Sequence, residues 1–141
     1  MSIWGRIFGL RSNPEYERGI NYFNDGEYEL AIEELEKATE SISQDDPTYA
    51  LGMFYAAEAH VQLGTAKYYT GDYDRALEHF EKAVTENPTY PDLYYRMGVI
   101  CHKKGKVDRA VDMLRKAIKL NERYFEAVCY LGIVLLEKGE T

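Results

Sequence analysis

The chain has little proline, little cysteine, few bases and no long apolar run. Only four prolines occur, and three of them (Pro14, Pro47, Pro91) stand where a helix would begin, so helix breakers are scarce elsewhere. Cys101 and Cys129 are too few for a disulfide framework. Both lie in apolar stretches, where a free cysteine behaves as a small hydrophobe, and a reducing compartment is the simpler expectation. No segment is long and apolar enough to span a bilayer. The opening Met1–Leu10 lacks the uninterrupted apolar core and the cleavage site of a secretory signal, so a cytoplasmic location is expected. A net charge of −7 argues against a general nucleic-acid binder, which needs cations to displace counterions from phosphates. His60, His79 and His102 fall on three different predicted helices, and none has a carboxylate at ligand spacing. Cys101 and His102 are neighbours, but adjacent residues of a helix point about 100° apart, which makes joint ligation awkward. Nucleotide-binding and nucleophile-elbow motifs are missing. No catalysis, no metal and no cofactor are therefore expected.

What the sequence does have is internal repetition, the first property to test in a chain of this kind. Gly64, Gly98 and Gly132 are spaced by 34 residues, as are Gly71, Gly105 and Gly139. Ala76 and Ala110 keep the same interval, and so do Ala83 and Ala117. An earlier copy, Gly19, Gly26, Ala31 and Ala38, precedes the second by 45 residues. The order within a unit has a mechanical meaning. A first glycine sits inside helix A, where the backbone of helix B must come close. A second glycine ends helix A, because it enters the left-handed cap conformation cheaply. The alanines then lie seven apart on one face of helix B, where larger side chains would push the hairpin open.

The run Gly71-Asp-Tyr-Asp-Arg-Ala76, followed by Phe80, Ala83 and Pro88, resembles the tetratricopeptide repeat. The resemblance covers roughly Ser12 to Thr141. There are departures. The aromatic expected early in helix A is Glu15, His60, Tyr94 and Val128 in turn, and the closing proline of Pro88 is replaced by Ser43 and Glu122 in the first and third copies. The resemblance implies an all-α fold, a right-handed superhelix of antiparallel helix hairpins with three repeats and a half repeat. It also implies a protein-binding scaffold.

The 45-residue interval leaves eleven extra residues between the first and second copies. Asp46-Pro47 is a good helix start, and only the tolerable Gly52 and Gly64 interrupt the stretch before Gly71. One long helix A of about 23 residues, roughly 35 Å, is predicted for the second repeat. Helix B of the first hairpin is expected to lengthen as well, through Ile42. The predicted helices run over 13–25, 27–43, 47–70, 73–86, 91–104, 107–120 and 124–138. The domain plan is an N-terminal amphipathic segment 1–11 and a repeat domain 12–141, with repeats at about 12–46, 47–90 and 91–124 and a half repeat at 125–141.

Both ends look unfinished. The last helix is apolar nearly all round, so it is expected to continue into a longer array or to be covered by another subunit, giving a homodimer. The residues proposed for such self-association are Phe125, Tyr130, Ile133, Val134 and Leu136. At the other end, Ile3, Trp4, Ile7 and Phe8 read as a short cap or as a weak peripheral membrane foot. Charge is uneven too, with eleven acids and two bases over Ser12–Pro47 against four acids and nine bases over Pro91–Tyr124. Two solvated faces explain this; head-to-tail attraction between copies is the sharper alternative.

In the superhelix that the resemblance implies, A helices line the concave groove. The repeat phase projects Tyr16, Ile20 and Phe23, then Val61, Thr65, Tyr68 and Tyr69, then Tyr95, Arg96, Val99, His102 and Lys103 into it. Tyrosine, phenylalanine and arginine are common interface anchors. Some tetratricopeptide domains hold the acidic tail of a heat-shock chaperone through a carboxylate clamp. At the matching positions stand Tyr16, Ile20, Thr65, Asp92 and Arg96, of which only Arg96 suits a carboxylate. The expected function is a non-catalytic scaffold that docks a protein, peptide or helix in an aromatic groove. Its rivals are a self-assembling structural protein and the targeting segment of a larger enzyme.

Overall fold

In a computed structural model, which describes residues 13–139, the chain forms seven α-helices and no strand among those residues. They are α1 (Pro14–Asn24), α2 (Tyr28–Ser41), α3 (Pro47–Thr70), α4 (Tyr73–Glu86), α5 (Pro91–Lys103), α6 (Val107–Leu120) and α7 (Phe125–Glu137). The expectations for the segment 1–11 lie outside the described residues. No helix among the described residues is long and apolar enough to cross a membrane.

The helix starts follow from local chemistry. Asn13 caps α1, its side-chain oxygen accepting the Tyr16 N–H at 2.9 Å, and Pro14 takes the position whose N–H would have no partner. Asp46 does the same for α3 through the Thr48 N–H at 2.9 Å. Helices α1, α3 and α5 stop at Gly26, Gly71 and Gly105, whose φ values are 81°, 83° and 77°. In each case the residue after the glycine donates to the carbonyl five positions back, with Glu27, Asp72 and Lys106 bonding Tyr22, Lys67 and Cys101 at 2.8–2.9 Å. This is the glycine-ended cap that satisfies the last carbonyls of a helix.

The three B helices, α2, α4 and α6, are each 14 residues long. The expected lengthening of α2 through Ile42 is therefore corrected: α2 ends at Ser41, and Ile42 is already extended at φ −105°, ψ 137°. The Ser41 hydroxyl donates to the Ala38 carbonyl at 3.0 Å, a local alternative to another helical turn. All eleven extra residues enter α3 instead, which has 24 residues against 13 in α5.

The described residues fall into two compact units, one ending at Leu63 and one starting at Gly64. The first contains α1, α2 and most of α3. Its core is Ala31, Leu35 and Ala56, with Tyr16, Ile20, Tyr22, Phe23 and Tyr55 packed round it. The second contains the end of α3 and α4 to α7. Each B helix places the same pattern in the core: Ala31, Leu35 and Ala38; Ala76, Phe80 and Ala83; Ala110, Leu114 and Ala117, all 1% exposed or less. Burying each central leucine or phenylalanine contributes about 1.5–3 kcal/mol. Opposite each stands a helix-A glycine. A Cβ on Gly19 would lie 2.6 Å from Cγ of Leu35, one on Gly64 2.6 Å from the Phe80 ring, and one on Gly98 2.8 Å from Cγ of Leu114. Small residues on both partners bring the two backbones of each hairpin together.

Two ion pairs recur at the repeat interval in the second unit. Lys104 reaches Asp74, and Lys138 reaches Asp108 at 2.8 Å. Each ties the end of an A helix to the start of the preceding B helix.

Candidate protein-binding surface

The end of α3, together with α5 and α7, brings aromatic and basic side chains onto one connected surface of the second unit. Tyr68 and Tyr69 meet edge to face at 5.3 Å, and Tyr68 also touches Tyr73 at 6.0 Å. The Arg96 guanidinium lies 5.9 and 5.8 Å from the centres of the Tyr68 and Tyr69 rings and donates to Thr65 Oγ1 at 2.7 Å. Lys103 sits over Tyr73 at 5.8 Å. On α5, Tyr95 packs against Tyr124 at 5.2 Å and against Tyr130 at 6.1 Å. His102 closes the surface. Its Nε2 lies 2.5 Å from the Glu137 carboxylate, and its Nδ1 lies 2.8 Å from the Tyr130 hydroxyl. A carboxylate only accepts, so Nε2–H donates to Glu137, and in the neutral ring Nδ1 accepts from Tyr130.

Partial burial sets the ionisation of this cluster. It raises Tyr68, Tyr95 and Tyr130 above the ordinary tyrosine value, because a phenolate loses solvation there. Tyr124 is pushed well above that value, first by burial and then by Asp92, whose carboxylate accepts its hydroxyl. Across neutral pH these rings are therefore uncharged hydroxyl donors set among Arg96, Lys103 and His102. Such a surface offers apolar faces and directed hydrogen bonds together, which is the chemistry of a protein-recognition site.

Sequence comparison bears on the same helices. The profile of the tetratricopeptide repeat matches residues 68–128 and, separately, residues 16–45. The chain belongs to the tetratricopeptide repeat family. It is 32% identical over 88 residues to the photosystem I assembly protein Ycf3 of Synechococcus sp. strain CC9311, covering 62% of this chain and 46% of that one. A Ycf3 of Prochlorococcus marinus strain NATL1A matches with the same identity and coverage. The chain thus spans about half the length of the curated relatives it matches. Among solved structures, MamA superposes with a TM-score of 0.58 at 24% identity, covering 89% of this chain and 67% of that one. The C-terminal tetratricopeptide domain of an FK506-binding protein of Plasmodium falciparum gives 0.59 at 20% identity, covering 89% and 86%. These structures share the fold.

Placed on the tetratricopeptide repeats, the residues expected to bind a partner separate. Thr65, Tyr68, Tyr69, Tyr95, Arg96, His102 and Lys103 belong to the connected surface, with Tyr69 73% exposed. Tyr16, Ile20 and Phe23 lie in the first unit, half-buried on its core, where Phe23 meets Tyr28 and Tyr55 edge to face. Val61 is half-buried. Val99 is a correction: it is 4% exposed and presents no surface. Val134 is another, fully buried against Val111 and Leu114 of α6 rather than open for self-association. Tyr130, expected in the self-association set, instead faces Tyr95 and His102. The repeat register held the signal, since Tyr130 follows Arg96 by 34 residues. Phe125, Ile133 and Leu136 are exposed at 70%, 50% and 66%. Tyr73, Tyr124 and Glu137 also join the surface; Tyr124 follows Tyr90 by the repeat interval, which marks it as the residue that leads into an A helix.

The clamp positions carry other work. Arg96 is engaged by Thr65 and two tyrosine rings, and Asp92 is held by Tyr124.

Proposed function

We propose that this tetratricopeptide protein is a non-catalytic scaffold that docks a protein segment on the tyrosine-rich surface formed by the end of α3, α5 and α7. The observation that carries this reading is a pair of ring-contact runs within the second unit, one from Tyr69 through Tyr68 to Arg96 and one from Tyr95 to Tyr130 and His102. Tyrosines held by their neighbours lose little rotamer freedom on binding, so each contributes area at small entropic cost. An extended or helical ligand with apolar anchors suits it better than an acidic tail, because Arg96 is already engaged by Thr65 and two tyrosine rings and the surface also carries the carboxylates of Asp92 and Glu137. That the relatives are named as assembly proteins supports a role in bringing other proteins together. Two unpaired cysteines support a reducing, cytoplasmic setting.

The test is capture of partners from an extract by the wild-type chain and by the Tyr68→Ala/Tyr95→Ala variant, with circular dichroism as the folding control. The variant should lose the specific partners while staying helical. Equal recovery by both proteins would place the binding surface elsewhere.

A further inference from the structure

The tyrosine surface of the second unit is rich in hydrogen-bond donors and poor in free acceptors. Tyr68, Tyr69, Tyr73 and Tyr95 are half-buried or exposed, and among the described residues none of their hydroxyls is hydrogen-bonded within the protein. The hydroxyls also converge, since those of Tyr73 and Tyr95 lie near enough to both Tyr68 and Tyr130 to bear on their ionisation. Arg96 adds further donors beside Tyr68 and Tyr69, because only one of its N–H groups goes to Thr65. The acceptors, by contrast, are taken. Asp92 holds the Tyr124 hydroxyl, Glu137 holds the Nε2–H of His102, and His102 Nδ1 holds the Tyr130 hydroxyl. Of the carboxylates that bear on these rings, Glu126 alone makes no hydrogen bond among the described residues. The backbone carbonyls of the helices themselves are spent within each helix.

That imbalance decides the class of ligand. A helix brings backbone groups already paired with one another, so the ring hydroxyls beneath it would lose water and gain no partner. An ordinary extended strand brings an N–H for every carbonyl, and those donors would meet a face with one free carboxylate. A run of prolines brings carbonyls without N–H groups. In polyproline II those carbonyls make no internal bond, and aromatic side chains are the surface on which such segments pack. We propose that this surface binds a proline-rich segment in the polyproline II conformation, its carbonyls accepting from the hydroxyls of Tyr68, Tyr73 and Tyr95 and its rings lying against the tyrosine faces. The proposal rests on this face being the docking site. Such a segment is extended before it binds, so little further order is lost on docking.

The probe is a fluorescein-labelled decaproline peptide, titrated with the full chain and followed by anisotropy. Saturable one-to-one binding is expected, and a helical peptide of Glu-Ala-Ala-Ala-Lys repeats should neither bind nor compete. Tyr95→Phe keeps the ring and removes a hydroxyl that has no partner in the chain. The variant should therefore melt as the wild type does, yet bind decaproline about threefold to tenfold more weakly. Tyr68→Phe/Tyr95→Phe should weaken binding further. Absence of saturable binding, unchanged affinity in the double phenylalanine variant, or equal binding of the helical peptide would overturn the proposal. Those results leave the docking surface standing if Tyr68→Ala/Tyr95→Ala still loses its partners in the capture experiment. Equal capture by wild type and that alanine variant overturns the docking surface, and this ligand with it.

Discussion

Gly98 of α5 lies directly against Leu114 of α6, close enough that a Cβ would come within 2.8 Å of the leucine Cγ and 3.3 Å of the Ala110 carbonyl oxygen. Leu114 is fully buried. Replacing a helical glycine by alanine normally stabilises by roughly 0.5–1 kcal/mol. Forcing a methyl into a packed seat costs about 1–3 kcal/mol, so the clash wins at this position. Gly98→Ala should lower stability, whereas Gly132→Ala, in open space, should leave it unchanged or raise it. Urea unfolding of the two variants tests this, and similar midpoints would mean that the hairpin relaxes at little cost.

Arg96 links α5 to the end of α3 through Thr65 and two tyrosine rings. Truncation to alanine removes one charge-assisted hydrogen bond and two exposed cation–ring contacts, together about 1–2 kcal/mol. Arg96→Lys should restore only part of that loss, since an ammonium lacks the flat fork that spans the hydroxyl and the rings. The same engagement predicts that a peptide ending in an acidic tail does not bind. Binding of such a peptide in calorimetry, abolished by Arg96→Ala, would show that the arginine is free to act as a clamp.

The two thiols should react differently. Cys101 is fully buried, and burial pushes its thiol up, which suppresses the nucleophilic thiolate. Cys129 is exposed on α7. A coloured disulfide reagent should titrate one thiol in the native chain and the second only in denaturant. Cys129→Ser should abolish the native reaction, and a rapid reaction persisting in that variant would mean that α5 opens readily.

The hairpins were legible in the sequence because their determinants are local. Glycines at positive φ, a capping asparagine or aspartate before proline, and small residues at fixed spacing each act within a turn or two. The end of α2 was less legible, since Ser41-Ile42-Ser43 contains no breaker and the stop rests on a side-chain bond to Ala38. The binding face was legible only in part, because the width of a buried arc depends on how many helices flank it. Helix α5 is packed by α4 and α6, and Val99 is buried along with Leu93, Tyr94, Met97, Ile100 and Cys101. Helix α7 has α6 and α5 on one side, and only Ala127 and Val134 are fully buried. Periodicity gives the direction of the stripe, while its width comes from the neighbours.

High pH should unfold the chain before its tyrosines titrate normally. Tyr68, Tyr95, Tyr124 and Tyr130, all in the second unit, and Tyr16 in the first are raised above the ordinary value, chiefly by burial. Below about pH 10 these phenols are protonated in both folded and unfolded chains, and their contribution to stability is fully present. Above it the unfolded chain releases protons that the folded chain still holds, so stability falls as pH rises through the raised values. Tyr124 dominates this dependence, because it is both partly buried and bonded to Asp92. Tyr124→Phe removes the titrating group. It should flatten the fall in urea midpoint above about pH 10 while costing about 0.5–1.5 kcal/mol at neutral pH through the lost hydrogen bond. If Tyr124→Phe and the wild type lose stability in parallel through alkaline pH, the ionisation that unfolds the chain lies outside the Tyr124–Asp92 pair.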